Sequence, residues 1–255
     1  MIFAADNINP MNPVVAQAMD ALDPAPVRDI ARRCAAAGAF WIDVNPGPLP
    51  ARRRDRMRFL VDAVQEATDL RLILDSADVE VLAEGLRACR QTPVLNALTL
   101  EPGKLASLPE LAAEAGADLV ALLLDGASRV AATADEKIAL AVALWQQAVA
   151  AGLPEEHLIF DPVVPHWSWP DAAAQAAACV QTVRLLSSGA ALGRPARTLA
   201  GISNLRSGRR RVVPAGSEHA LLCLLVGAGL DVALCNILDP DLSLVRDGIH
   251  IFIRP

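Results

Sequence analysis

Short apolar runs alternating with stretches of helical period recur from one end of this chain to the other, and no other feature restricts its fold as strongly. Eight such runs stand out: Ile2-Phe3-Ala4-Ala5, Phe40-Trp41-Ile42, Arg71-Leu72-Ile73-Leu74, Pro93-Val94-Leu95, Leu119-Val120-Ala121-Leu122-Leu123, Leu158-Ile159-Phe160, Thr198-Leu199-Ala200-Gly201-Ile202 and Val232-Ala233-Leu234. Strands without polar alternation are buried on both faces, and parallel strands need helical crossovers. Those crossovers are placed at about 26–37, 52–68, 78–89, 104–115, 134–151, 172–187 and 217–228. Gly38, Gly116 and Gly229 each precede a strand, where a left-handed residue ends a helix. A doubly wound sheet would have fewer strands and a glycine-rich turn after the first, whereas this chain has Asp6-Asn7-Ile8-Asn9-Pro10 there. The pattern predicts a closed α/β barrel, the (β/α)8 TIM barrel.

The 255 residues fit one barrel domain spanning 1–255, and no linker interrupts the alternation. With 53% hydrophobic and 20% charged residues the chain can bury a large core. A formal charge of −6 speaks against nucleic acid as a partner, since phosphate neutralisation needs a basic face. No apolar run reaches membrane-spanning length and no basic leader opens the chain, so a cytoplasmic protein without membrane association is expected. Cys34, Cys89, Cys179, Cys223 and Cys235 are odd in number and widely spaced, which suits free core thiols. His157, His166, His219 and His250 lack metal-ligand spacing, so no metal is expected and each reads as a surface or capping residue. Arg52, Arg53, Arg54, Arg56 and Arg58 read as a solvated helix face.

Each strand is followed by Asp, Asn or Ser: Asp6, Asn7 and Asn9; Asp43 and Asn45; Asp75; Asn96; Asp125; Asp161; Ser203 and Asn204; Asn236 and Asp239. Any one of them could simply cap a helix or start a turn. In a barrel, however, these ends converge on one face, where active sites of the fold are built. A cup of carboxylates and amides with no Lys or Arg at its strand ends suits a ligand rich in N–H donors, because carboxylates accept paired, charge-assisted bonds from amidine-like groups. The 2-amino-4-oxo edge of a pterin has that donor pattern.

These residues resemble those of the pterin-binding superfamily: dihydropteroate synthases, the folate domain of cobalamin-dependent methionine synthase, and above all methyltetrahydrofolate:corrinoid protein methyltransferases. The resemblance runs through Asp-Pro-Ala-Pro-Val at 23–27, Gly38-Ala39, Ile42-Asp43-Val44-Asn45-Pro46-Gly47-Pro48, Leu74-Asp75-Ser76, Asn96, Asp161-Pro162 and Gly201-Ile202-Ser203-Asn204. It implies a dihydropteroate synthase-like barrel in which Asp75, Asn96 and Asp161 hold the pterin ring, with Asn9, Asp43 and Ser203 around it. Asn204 then approaches N5 as the catalytic residue. The methyl donor or acceptor so implied is a reduced pterin, tetrahydrofolate or tetrahydromethanopterin, and the corrinoid comes on a partner protein, because no Asp-x-His-x-x-Gly cobalamin motif is present. Relatives are commonly homodimers, and the same is expected here.

The chain departs from those methyltransferases in Leu205-Arg206-Ser207-Gly208-Arg209-Arg210-Arg211. Arg206, Arg209 and Arg210 are candidates for an acidic pterin tail or the partner, or are a solvated loop. His166-Trp167-Ser168-Trp169-Pro170 sets two aromatics near the mouth. Two other functions remain open: a synthase of folate or tetrahydromethanopterin assembly, weakened by Ser203-Asn204-Leu205 where synthases carry a Ser-Arg-Lys type motif, and a non-catalytic pterin-binding subunit.

Overall fold

The structure, a computed structural model, describes residues 1–206, 213, 214 and 216–253, with side chains described as far as residue 249. Strands β1 (Ile2–Ile8), β2 (Trp41–Val44), β3 (Arg71–Asp75), β4 (Val94–Leu98), β5 (Asp118–Leu122), β6 (Leu158–Asp161), β7 (Arg197–Gly201) and β8 (Val232–Cys235) pair in that order, all parallel. Pairing of β8 with β1 closes the barrel. Around it run α1 (Pro13–Ala21), α2 (Pro24–Ala36), α3 (Asp55–Gln65), α4 (Val79–Ala88), α5 (Pro102–Ala115), α6 (Ala134–Ala150), α7 (Ala172–Ser187), α8 (Ser217–Gly227) and α9 (Pro240–Ile253). The eight strand runs and seven of these helices match the sequence expectation. Among the described residues no helix is long and apolar enough to cross a membrane.

Helices α1 and α9 lie outside that expectation, and both start on a local signal rather than on a long apolar stripe. Asn12 precedes Pro13, Asp23 precedes Pro24, and Asp239 precedes Pro240. In each pair the first side chain accepts a bond from the backbone N–H two residues on, at 2.9 to 3.1 Å, while proline supplies a helical φ where no N–H is needed. Gly38 (φ 88°), Gly116 (φ 61°) and Gly229 (φ 103°) are left-handed, as helix ends before a strand require.

Strand side chains alternate in direction, and this parity builds the site. Ala4, Trp41, Ile73, Val94, Val120, Ile159, Leu199 and Val232 form one buried cluster, which fills the barrel. Their neighbours Phe3, Ile42, Leu74, Leu95, Ala121, Phe160, Ala200 and Ala233 belong to the larger layer between barrel and helices. Two residues beyond the interior cluster, on the same face, stand Asp6, Asp43, Asp75, Asn96, Leu122, Asp161, Gly201 and Leu234. The polar layer therefore comes from β1, β2, β3, β4 and β6. β5, β7 and β8 contribute Leu122, Gly201 and Leu234 to this layer, and the polar residues expected after them, Asp125, Ser203 with Asn204, and Asn236, lie beyond the strand ends.

At the opposite end, Asp118 opens β5 and binds Arg71 (2.8 Å), Arg197 (2.6 Å) and His157 Nδ1 (3.0 Å). Burial pushes its carboxyl up, but Arg197 and Arg71 outweigh burial and hold it below its ordinary value. Arg71 also lies over the Trp41 ring, 5.3 Å from its centroid. The N-terminal end of the barrel is thus closed by an ion-pair plug, away from the polar layer.

A carboxylate-lined candidate active site

Four carboxylates meet in the polar layer. Asp43 is 3% exposed and Asp161 5%, while Asp6 and Asp75 are half-buried. Burial is the largest influence on all four, and it disfavours the charged form. Asp6 rises to about 6 despite a hydrogen bond from Ser203. Asp75 also rises to about 6, although Asn45 Nδ2 donates to its Oδ2 at 2.7 Å and Lys104 lends positive charge. Asp161 reaches about 7, even with Val163 N donating to its Oδ1 at 2.7 Å and Lys137 nearby. Asp43 is pushed well above its ordinary value, by burial and then by Asp75 and Asp6. Its Oδ1 is buried with no donor among the described residues. Asn96, 8% exposed, is paired in register with Asp75 across β3 and β4.

The segment after β7 is a 3₁₀ turn, Ile202–Arg206. Ser203 Oγ accepts from Asn236 N at 3.1 Å and also bonds Asp6, so it ties the ends of β1, β7 and β8 together. Asn204 folds back over the strand it follows: a Cβ at Gly201 would lie 3.0 Å from its Nδ2. Glycine at 201 leaves the amide room.

Other expected site residues are placed differently. The Asn9 amide is taken up in the loop after β1, donating to Asp6 O at 2.5 Å and accepting from Met11 N at 2.9 Å. Asp125 lies in an exposed turn, where its carboxylate binds Arg129 and the backbone N–H of Ala127, outside the polar layer. Arg206 is paired with Glu218 and shares with Ser203, Asn236 and Asp239 the wall of a cavity of about 230 Å³ beside the cup. Arg209 and Arg210 lie outside the described residues, as does the side chain of His250. Arg52 and Arg58 are exposed and Arg53, Arg54 and Arg56 half-buried, with Arg53, Arg54, Arg56 and Arg58 paired to acidic neighbours. Cys34, Cys179 and Cys235 are buried, Cys89 is half-buried, and Cys223 is exposed.

Sequence reasoning also missed two cations. It expects no Lys or Arg in the cup because it inspects strand ends, whereas Lys104 and Lys137 arrive from the first turns of α5 and α6. Lys137 is fully buried and donates to Pro162 O at 2.7 Å. The Trp-bearing loop before α7 is strapped to the 3₁₀ turn, with Trp167 N donating to Leu205 O at 3.0 Å.

A family model described as pterin binding enzyme matches residues 8–233. A methylcorrinoid:tetrahydrofolate methyltransferase of Eubacterium limosum is 31% identical over 166 residues, a match spanning 64% of this chain and 61% of that protein. Among solved structures, the dihydropteroate synthase of Xanthomonas albilineans with 4-aminobenzoic acid superposes with a TM-score of 0.70 at 20% identity, covering 100% of this chain and 93% of the other. The enzyme of Thermus thermophilus gives 0.69 at 19%, covering 98% and 92%. At such identities the structural likeness speaks for the dihydropteroate synthase-like fold alone. The family match runs from the end of the first strand into the eighth, and the chain belongs to the pterin-binding enzyme family.

Proposed function

We propose that this chain transfers a methyl group between N5 of a methyl-tetrahydropterin, of the tetrahydrofolate or tetrahydromethanopterin kind, and the cobalt of a corrinoid held by a separate protein. The observation that carries the reading is the buried carboxylate cluster, above all Asp43 Oδ1, which has no donor among the described residues. Leaving such an atom unpaired is costly, and a flat heterocycle that turns its amino and ring N–H groups toward the cluster removes the cost. In this reading Asp161 and Asp75 accept the ring N–H groups, Asn96 sets the ring's orientation, and Asp43 and Ser203 complete the wall, while the Asn9 amide stays engaged in its own loop.

Methyl transfer itself is supported by the Eubacterium limosum relative and by Asn204. A methyl group leaves a tertiary amine poorly, because the electron pair remaining on N5 has nowhere to go. An amide N–H from Asn204, strengthening as that pair develops, lowers the barrier selectively, and N5 takes up one proton from solvent to end as the secondary amine. The corrinoid supplies the cobalt electron pair that accepts the methyl group, or in the reverse direction the methyl group itself. Displacement of a diphosphate is less well supported. Leu205 is buried, and Arg206, the one cation among the described residues between β7 and α8, is paired with Glu218.

The test is anaerobic incubation with a Co(I) corrinoid and either methyl-tetrahydrofolate or methyl-tetrahydromethanopterin, following loss of Co(I) absorbance. Demethylation of one of the two is expected. Inactivity with both, alongside turnover of a pterin diphosphate with an arylamine, would replace this reading with the synthase. Tight pterin binding without either turnover, unchanged by Asn204→Ala, would point to a non-catalytic subunit.

A further inference from the structure

The chain spends its cations unevenly. Of 23 basic residues only Lys104 and Lys137 are lysine. Lys104 lowers Asp75, and Lys137 lowers Asp161. These are the two carboxylates proposed to accept the ring.

Lys137 has the less favourable placement. Its side chain is fully buried, which disfavours an ammonium, and it lies in the first turns of α6, where the helix dipole repels a cation. Its Nζ donates to Pro162 O at 2.7 Å. Cys179 Sγ from α7 approaches the same carbonyl at 3.5 Å and Val163 O at 3.2 Å. Val163 is left-handed, φ 62°, and its N–H reaches back to Asp161 Oδ1 at 2.7 Å. A β-branched residue adopts that conformation only when its surroundings impose it. Guanidinium could not replace the ammonium simply, since its planar fork needs more partners than one carbonyl.

We propose that Lys137 is the positioning residue of Asp161: it pins the Asp161-Pro162-Val163 turn through the Pro162 carbonyl and supplies the buried positive charge against which Asp161 accepts ring N–H groups. The inference rests on the pterin reading of the site. The groups facing Asp161 are Asp75 from β3, Lys137 from α6 and the Val163 amide; those facing Lys137 are Asp161, Cys179 and, on its own helix, Glu136. Burial lowers Lys137, and Asp161 and Cys179 raise it, so each member of the pair supports the charged form of the other.

With two lysines in the chain, selective ε-13C lysine labelling of the full protein gives two resonances, assigned by Lys104→Met or Lys137→Met. The Lys137 resonance of the ligand-free protein is expected to step near pH 7 as Asp161 ionises, and the step should vanish in Asp161→Asn. No step, or one that survives Asp161→Asn, overturns the pairing. Tetrahydrofolate affinity across about pH 6 to 9 then tests the positioning. In Lys137→Met the pH at which affinity falls should move up by about one unit, costing about fivefold at pH 7 and recovering by pH 9. Uniform weakening at every pH would reduce Lys137 to a packing residue and sink the proposal. If Lys137→Met does not fold, the wild-type resonance still decides, with Lys104→Met giving the assignment. Failure of wild type to bind tetrahydrofolate would overturn the pterin reading while leaving the resonance to judge the ion pair.

Discussion

Lowering the pH should weaken tetrahydropterin binding by a predictable amount. Asp161, raised to about 7, accepts ring N–H groups only when ionised. If the ligand binds the ionised form alone, the apparent Kd scales as one plus the ratio of proton concentration to the acid constant. That factor is about 1.1 at pH 8 and about 11 at pH 6, so Asp161 alone weakens binding about tenfold. Asp75, raised to about 6, is half protonated at pH 6 and adds a factor of about two. Anaerobic calorimetric titration with tetrahydrofolate at pH 6, 7 and 8 reads the change, and buffers of different ionisation heat should reveal proton release on binding near pH 7. A Kd constant from pH 8 to 6, or tighter at pH 6, would refute the assignment of these carboxylates as acceptors of ring N–H groups.

The ligand-free protein should show the complementary stability trend. Asp161 has a folded value of about 7 against an ordinary 3.8, so it favours folding most below pH 4 and loses that contribution as pH rises through 7, about 4 kcal/mol if it acted alone. Melting temperature should therefore fall from pH 5.5 to 8, a window in which Asp118, lowered rather than raised, stays ionised. Asn204→Ala should reduce methyl-transfer kcat about 10² to 10³-fold with pterin Kd within threefold, the scale of losing one transition-state donor. Gly201→Ala should give a smaller loss of the same kind, because the new Cβ would sit 3.0 Å from Asn204 Nδ2 and displace the amide. Asp118→Ala should cost about 1 to 3 kcal/mol in urea unfolding, discounted for the partial exposure of Arg71 and Arg197, and leave tetrahydrofolate affinity unchanged from the other end of the barrel.

The sequence was most readable where a residue's neighbours along the chain decide its environment. Strands buried on both faces leave continuous apolar runs, so all eight were legible, and two-residue parity carries Trp41 to Asp43, Ile73 to Asp75 and Ile159 to Asp161. Position in a strand is harder to read. Asp125 follows an apolar run as Asp161 does, but β5 starts one residue earlier to place Asp118 in the basal plug, and Asp125 falls into a turn. Helices α1 and α9 lacked a long stripe, yet their Asn-Pro and Asp-Pro caps were visible. Lys137 was beyond reach: it comes from a helix outside the barrel, its contact with Pro162 spans 25 positions, and nothing in its own neighbourhood marks it as buried. Asn9 shows the converse, an amide whose place in the sequence suits a ligand but which its own loop engages.

The most direct test is a crystal structure with methyl-tetrahydrofolate bound. The ring edge is expected to lie against Asp161 and Asp75, with Asn96 in contact with the ring and N5 within hydrogen-bond reach of the Asn204 amide. A ring seated instead in the cavity beside Arg206 and Glu218, leaving Asp43, Asp75 and Asp161 without ligand contacts, would contradict that placement.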